Sequence, residues 1–204
     1  SGTAMAEDVK IGILIGFTCP IESLTGHMAN AAEAAMAEVN ASGKAANVYS
    51  SVRGDSTCTD AAAATAAAER MVTAEGVKAI IGGDCSGVTR AVLTNVAMPN
   101  GIVMVSPSAT SPALTADPDN GLFFRTAPSD AREGEVMADI LVEKGVKSIA
   151  LTYSNSDYGK GLAEAIANAF IAKGGVVTIN AAHDDGKADY SAEVAALAAA
   201  GGDL

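Results

Sequence analysis

Between Val9 and Ala200, short apolar runs of strand length alternate with alanine-rich stretches of helical period, a pattern that leaves few folds open. Residues 9–16, 47–52, 77–82 and 102–105 read as buried strands. Residues 24–41, 59–74 and 86–98 read as helices, the first stopped by Ser42 and Gly43 and the third by Pro99, Asn100 and Gly101. The alanine run from Ala61 to Ala68 marks a helix lying close on the sheet. Strands separated by helices make right-handed βαβ crossovers, so an α/β fold follows, with a parallel sheet covered on both faces. In the common doubly wound order, strands one and three flank the point where the winding reverses, and ligands bind outside the carboxyl ends there.

Three polar loops leave those ends. The segment SPSATSPALT, Ser106 to Thr115, follows the fourth strand; FTCPIES follows the first and GDCSG the third. Small hydroxyl residues and prolines cannot continue a sheet, and they present backbone N–H groups and hydroxyls to whatever lies above them. That is the chemistry of a small-anion cradle. Ser86 opens a helix, whose unpaired first amides and dipole favour an anion, or it is an ordinary capping serine. Ser108 and Thr110 are donors of the same cradle or residues that form a turn.

Charge and composition exclude other classes. A formal net charge of −11 without a basic cluster argues against nucleic acid, because nothing is placed to displace counterions from phosphates. With 49% hydrophobic and 18% charged residues the chain is globular, and no apolar run reaches transmembrane length. The start, SGTAMAED, lacks an apolar core, so a signal peptide is expected to have been removed, with Ala4, Met5 and Ala6 as the tail of a cleavage site or an expression scar. IGGDCSG is not a dinucleotide fingerprint, and no phosphate-binding GxxxxGKS occurs. His27 and His183, the only histidines, fall in different halves, so neither a metal site nor a Ser/His pair is expected. The acidic HDDGKADY stretch, His183 to Tyr190, fails the EF-hand spacing and reads as a surface turn. No catalytic residue, cofactor or metal is expected.

The three cysteines lack the close spacing of a zinc or CxxC site. Cys58 reads as opening a helix after strand two and Cys85 the next helix after strand three, at the same edge of adjacent strands, where a bridge is geometrically reasonable; two reduced buried thiols are the alternative. A bridge would close 85 − 58 = 27 residue steps, stabilising the fold by roughly 3 to 4 kcal/mol. Cys19 is left over as a loop thiol.

After Asp117 the chain passes through PDNGLFFRTAPSD, with a strand-like core at 122–126, and the pattern restarts. Helices are expected at 130–144, 159–173 and 191–200, with strands at 148–153 and 176–180. This gives an N-terminal lobe over 8–126 and the first part of a second over 127–204. A two-stranded parallel sheet does not stand alone, so the second lobe is expected to be incomplete in this chain.

The succession KIGILIGFT, PIESLTG, RGDSTC, IIGGDCSGVTRAV, VMVSPSATSPALT, LFFRTAPSD and SIALTYSNSDYGKG resembles the leucine/isoleucine/valine-binding protein family, the type I periplasmic substrate-binding proteins of ABC transporters. The resemblance covers Asp8 to Leu204, and family members continue well past the equivalent of Leu204. It implies two lobes that close on a small amino acid or related carboxylate, a membrane permease as partner and a periplasmic location. It also implies that Ser86 holds the ligand carboxylate through hydroxyl and N–H, that Ser108 acts through its backbone, and that Thr110 serves carboxylate and ammonium. Tyr158, otherwise a surface tyrosine at a helix start, would close over the ligand. Leu24 would line the pocket where relatives often carry a larger aromatic, and Cys19 stands where many have glycine. A ligand-sensing receptor domain of the same fold is the alternative. An enzyme on a doubly wound fold is the weaker one, since Asp84 is the only carboxylate in the best of these loops.

Overall fold

A computed structural model describes residues 7–204. The expectation for Ala4, Met5 and Ala6 falls outside the described residues. The described residues divide into two compact units, one of residues 7–109 and 118–127, the other of residues 110–117 and 128–204. Each is an α/β layer structure.

The first unit carries a five-stranded parallel sheet in the order β2-β1-β3-β4-β5, formed by β1 (Asp8–Ile15), β2 (Val48–Asp55), β3 (Ala79–Gly82), β4 (Val103–Ser106) and β5 (Phe123–Arg125). Alternation along β1 sends Ile13 and Ile15 to one face, where they pack with Ala29 of α1 (Glu22–Ala41). The opposite face meets α2 (Ala61–Thr73), whose Met71 lies against Gly12 and Gly54. Ile13, Leu14 and Ile15 are completely or almost completely buried, each contributing about 1.5–3 kcal/mol. Asp60 starts α2 by accepting from the N–H groups of Ala62 and Ala63, at 2.9 and 3.0 Å.

The observed strand order places the reversal of winding between β1 and β3, as the alternation of elements implied. Several boundaries differ. β2 runs three residues beyond the expected end, because Arg53, Gly54 and Asp55 pair with Ile13, Leu14 and Ile15 despite their polarity. The segment read as strand-like joins the sheet as its fifth strand, short because prolines and a glycine flank it. α1 begins two residues earlier than expected, at Glu22. The helix from Ser86 does not end at Met98: α3 (Ser86–Val92) runs into a π-helical turn (Leu93–Ala97) and a last turn, α4 (Met98–Asn100), closed by Gly101 at φ 65°. A short helix, α5 (Ala113–Ala116), sits inside the segment read as a loop.

The second unit contains α6 (Asp130–Glu143), β6 (Ser148–Ser154), α7 (Asp157–Ala172), β7 (Val176–His183) and α8 (Ser191–Ala200). Its core is Ala138, Leu141, Ile149 and Phe170, with Val146, Leu151, Ile166 and Val177 packed around them. β6 and β7 are parallel neighbours, and β7 extends to His183, past the expected Asn180. On the other edge of β6, Asp203 N–H donates to the Ser148 carbonyl at 2.9 Å and Ala150 N–H donates to the Leu204 carbonyl at 2.8 Å. β6 is therefore paired on both sides. The stretch 183–190 is a surface turn, with the Tyr190 hydroxyl accepting from Lys187 N–H and donating to the Asp184 carbonyl, both at 3.2 Å. No described helix is long and apolar enough to cross a membrane.

Candidate functional site

In the first unit the loops after β1, β2, β3 and β4 meet over the carboxyl edge, the first three held together by one carboxylate and the fourth by the backbone beside it. Asp84 is 2% exposed, and its oxygens accept from Gly16 N–H at 3.0 Å and Ser56 Oγ at 2.6 Å. Those donors belong to the ends of β1 and β2, so Asp84 ties three loops across the point where the winding reverses. The β4 loop is fastened to the same place: Ser108 Oγ donates to the Asp84 carbonyl at 2.9 Å, and Ser106 Oγ donates to the Gly83 carbonyl at 2.5 Å while accepting from Ala109 N–H at 2.9 Å. Thr25 of α1 donates to the Gly16 carbonyl at 2.5 Å. The sequence offered Asp84 only as a candidate base; its geometry makes it a brace.

Ser86, buried at 3% exposure, is the first residue of α3 and follows this brace by two positions. An anion above it meets first-turn amides that a helix leaves without intrahelical partners, together with the positive end of the dipole. Ser108 is half-buried beside it in the chain's next loop. Leu24 lies in the first turn of α1 and is 56% exposed.

The disulfide joins Cys58 and Cys85, with Cα atoms 5.2 Å apart, and Cys19 is the free cysteine. The bridge does not span neighbouring strands, as the sequence suggested: β1 lies between β2 and β3, so the bridge crosses over the end of β1. Nor does Cys58 open a helix. It lies in the loop after β2, where Thr57 and Cys58 both take left-handed φ values, 56° and 64°, and turn the chain toward Cys85.

Asp55 fixes the first loop from the other side, its Oδ1 accepting from Phe17 N–H and Thr57 N–H, each at 2.9 Å, and its Oδ2 from Thr18 Oγ1 at 2.5 Å. Burial opposes ionisation of Asp55, but the Thr18 hydroxyl and the Thr57, Phe17 and Thr18 amides outweigh it and hold the carboxyl below its usual range.

Thr110 and Tyr158 fall in the second unit. The Thr110 carbonyl accepts from Asp130 N–H at 3.0 Å, at the start of α6. Tyr158 stands in the first turn of α7, where Ser156 Oγ accepts from Gly159 N–H at 3.0 Å. Burial pushes the Tyr158 phenol up, with Asp130 and Glu133 adding negative charge nearby. The glycines of SDYGKG have a steric reason. A Cβ on Gly159 would collide with the Ser154 carbonyl, and one on Gly161 would lie 2.9 Å from Ser111 Oγ and 3.0 Å from Pro112 Cδ. The segment carrying Thr110 and the helix start carrying Tyr158 therefore pack against each other. The structure thus brings Ser86 and Ser108 together in one unit and Thr110 and Tyr158 together in the other.

The brace, the hydroxyl-rich loops and the start of α3 thus lie at the reversal of winding of a doubly wound sheet, the place where sheets of this class take their ligands. Residues 8–204 match the model of the periplasmic binding protein family, and the chain belongs to that family. Leu/Ile/Val-binding protein homolog 3 of Brucella melitensis is 32% identical over 99% of this chain and 54% of its own length. The branched-chain amino acid transporter substrate binding protein LivJ from Streptococcus pneumoniae, solved in complex with isoleucine, superposes with a TM-score of 0.80 at 26% identity over 97% of this chain and 56% of that one. An R. palustris solute binding protein in complex with 4-hydroxybenzoate shares the fold, with a TM-score of 0.84 at 20% identity over 97% of this chain and 52% of that one. This chain spans about half the length of the curated relatives it matches.

Proposed function

We propose that this protein captures a small amino acid or related carboxylate outside the cytoplasm, in the periplasm, and delivers it to the membrane permease of an ABC transporter. The observation that carries the reading is the fixed donor edge of the first unit, where Ser86 begins α3 and Ser108 is fastened to the Asp84 carbonyl. Such an edge suits a carboxylate, since donors set in place before the ligand arrives lose little entropy on binding it. Thr110, Tyr158 and Leu24 are proposed as further ligand contacts, the first through hydroxyl and backbone, the others through their side-chain surfaces. The relatives' names point to aliphatic side chains.

Calorimetry on the full product of the gene, with leucine, isoleucine and valine as probes, tests this. Binding of one of them, with loss of binding for its amide, is expected. A hydroxyl–carboxylate bond is worth about 1.5–3 kcal/mol, so Thr110→Ala should weaken binding about 10- to 150-fold. Ser86→Ala should cost less, because the α3 amides remain. Unchanged affinity in both folded variants would place the site elsewhere.

A further inference from the structure

Cys19 does not sit apart from the disulfide. Its Sγ, the Cys58 Sγ and an Asp84 carboxyl oxygen all lie within 4.8 Å of one another. Cys19 Sγ donates to the Gly16 carbonyl at 3.3 Å and is packed so closely on Gly16 that a Cβ there would come within 2.5 Å of it. The thiol is thus held by the β1 loop over the bridge that crosses the end of β1. We propose that Cys19 is an exchange partner of this bridge, so that the first unit holds two alternative disulfides, Cys58–Cys85 and Cys19–Cys58.

The step is redox-neutral. The Cys19 thiolate attacks Cys58 Sγ, a Cys19–Cys58 bond forms, the Cys58–Cys85 bond breaks, and the electron pair leaves on Cys85. The proton lost by Cys19 ends on Cys85. Asp84 stands near both, with its Oδ2 4.0 Å from Cys85 Sγ. The groups facing Cys19 set the pace: burial raises the thiol, the Ile21 amide lowers it, and Asp84, Asp55 and Glu22 raise it further, so the thiolate is scarce at neutral pH. Below the thiol's pKa its thiolate fraction, and with it the exchange rate, rises about tenfold per pH unit. The product re-tethers the β2 loop from β3 to β1 and frees Cys85, the residue immediately before Ser86. The exchange does not depend on the ligand reading above.

The test compares two single variants, each lacking the native bridge and retaining Cys19. In Cys85→Ser, oxidised glutathione should cap one thiol of the Cys19/Cys58 pair and the other should displace glutathione, giving an internal Cys19–Cys58 bridge. In Cys58→Ser, the Cys19/Cys85 pair should stop at the glutathione adducts. Peptide mapping without reduction distinguishes the two, with at least tenfold more internal bridge in Cys85→Ser. The parent protein, held oxygen-free at pH 7 and pH 8.5 and quenched with N-ethylmaleimide, should show label on Cys85 that appears faster at the higher pH and is absent from Cys19→Ser. Equal closure in the two variants, or closure in neither, overturns the proposal, as does Cys19 as the only labelled site of the parent at both pH values.

Discussion

Removing the Asp84 carboxylate tests whether the donor edge is built by one buried brace. In Asp84→Ala, Gly16 N–H loses its 3.0 Å acceptor and the Ser56 hydroxyl its 2.6 Å one. Ser56 is completely buried and Gly16 is buried beside it, so water does not readily replace the lost acceptor. An orphaned buried donor costs about 1–3 kcal/mol, so two together cost about 2–6 kcal/mol, a large share of the roughly 5–15 kcal/mol by which a domain is stable. Asp84→Asn keeps one acceptor oxygen and should lose about half as much. Ser56→Ala combined with Asp84→Ala should cost less than the sum of the two, by at least about 0.5 kcal/mol, because Ser56→Ala removes a donor that Asp84→Ala has orphaned. Urea unfolding followed by circular dichroism gives the totals, and hydrogen exchange gives the place, with Gly16 the amide losing most protection. If Asp84→Ala unfolds within about 0.5 kcal/mol of the parent and Gly16 stays protected, the brace is not what organises these loops.

Thiol counting in denaturant without reductant should find one reactive thiol among the three cysteines, since the bridge consumes two. Three would contradict the bridge. Gly134→Ala should destabilise the second unit, because the added Cβ would stand 2.5 Å from the Ala165 backbone in α7; the clash costs about 1–3 kcal/mol or more, against about 1 kcal/mol of gained helix propensity. A stability gain in thermal unfolding would refute this packing. Asp55 has a folded pKa below its unfolded one, so it stabilises above the ordinary carboxylate range and that contribution is lost as pH falls through the folded value. The melting difference between the parent and Asp55→Asn should therefore hold above about pH 5 and shrink below about pH 3; a difference independent of pH down to about 2 contradicts the assignment.

Periodicity made the strands and helices legible because each covers a face of a layer, but not every start: α2 begins at Ala61 behind the cap Asp60 and α7 at Asp157 behind the cap Ser156, where the pattern put them at 59 and 159, and of these capped helices only α6, behind Ser129, begins where expected. It failed where pairing outweighs side-chain character. Arg53, Gly54 and Asp55 look like a turn, yet they remain in β2 because β1 supplies a ladder partner for each. Phe123 to Arg125 is too short to show a period, and only its pairing with Met104, Val105 and Ser106 makes it a strand. At the site, the hydroxyl-rich loops were visible from composition. The brace was not, because Asp84 meets Gly16 and Ser56 across sequence separations of 68 and 28 residues.

The two units repeat one arrangement, and the repeat shows which strand of the second is its central one. In the first, β1 is paired on both sides, by β2 and β3, and the loop that leaves it reaches the reversal of winding. In the second, β6 is paired by β7 on one side and by Asp203 and Leu204 on the other. Alternate residues of β6, Ser148 and Ala150, bond to that second partner, as a parallel ladder requires. β6 thus occupies the place of β1, and the loop that leaves it, Asn155 and Ser156, with the start of α7, the place of the loop carrying Cys19. Tyr158 lies at the carboxyl end of a central strand for the same topological reason as the β1 loop. This end should also be the stable one, since β6 is paired on both edges while α8 buries none of its residues. Hydrogen exchange should therefore show the β6 amides outlasting those of α8, by a factor that grows with each ladder bond β6 retains. Equal exchange along β6 and α8 would mean that the second unit opens as a whole, and that the start of α7 carrying Tyr158 has no fixed frame of its own.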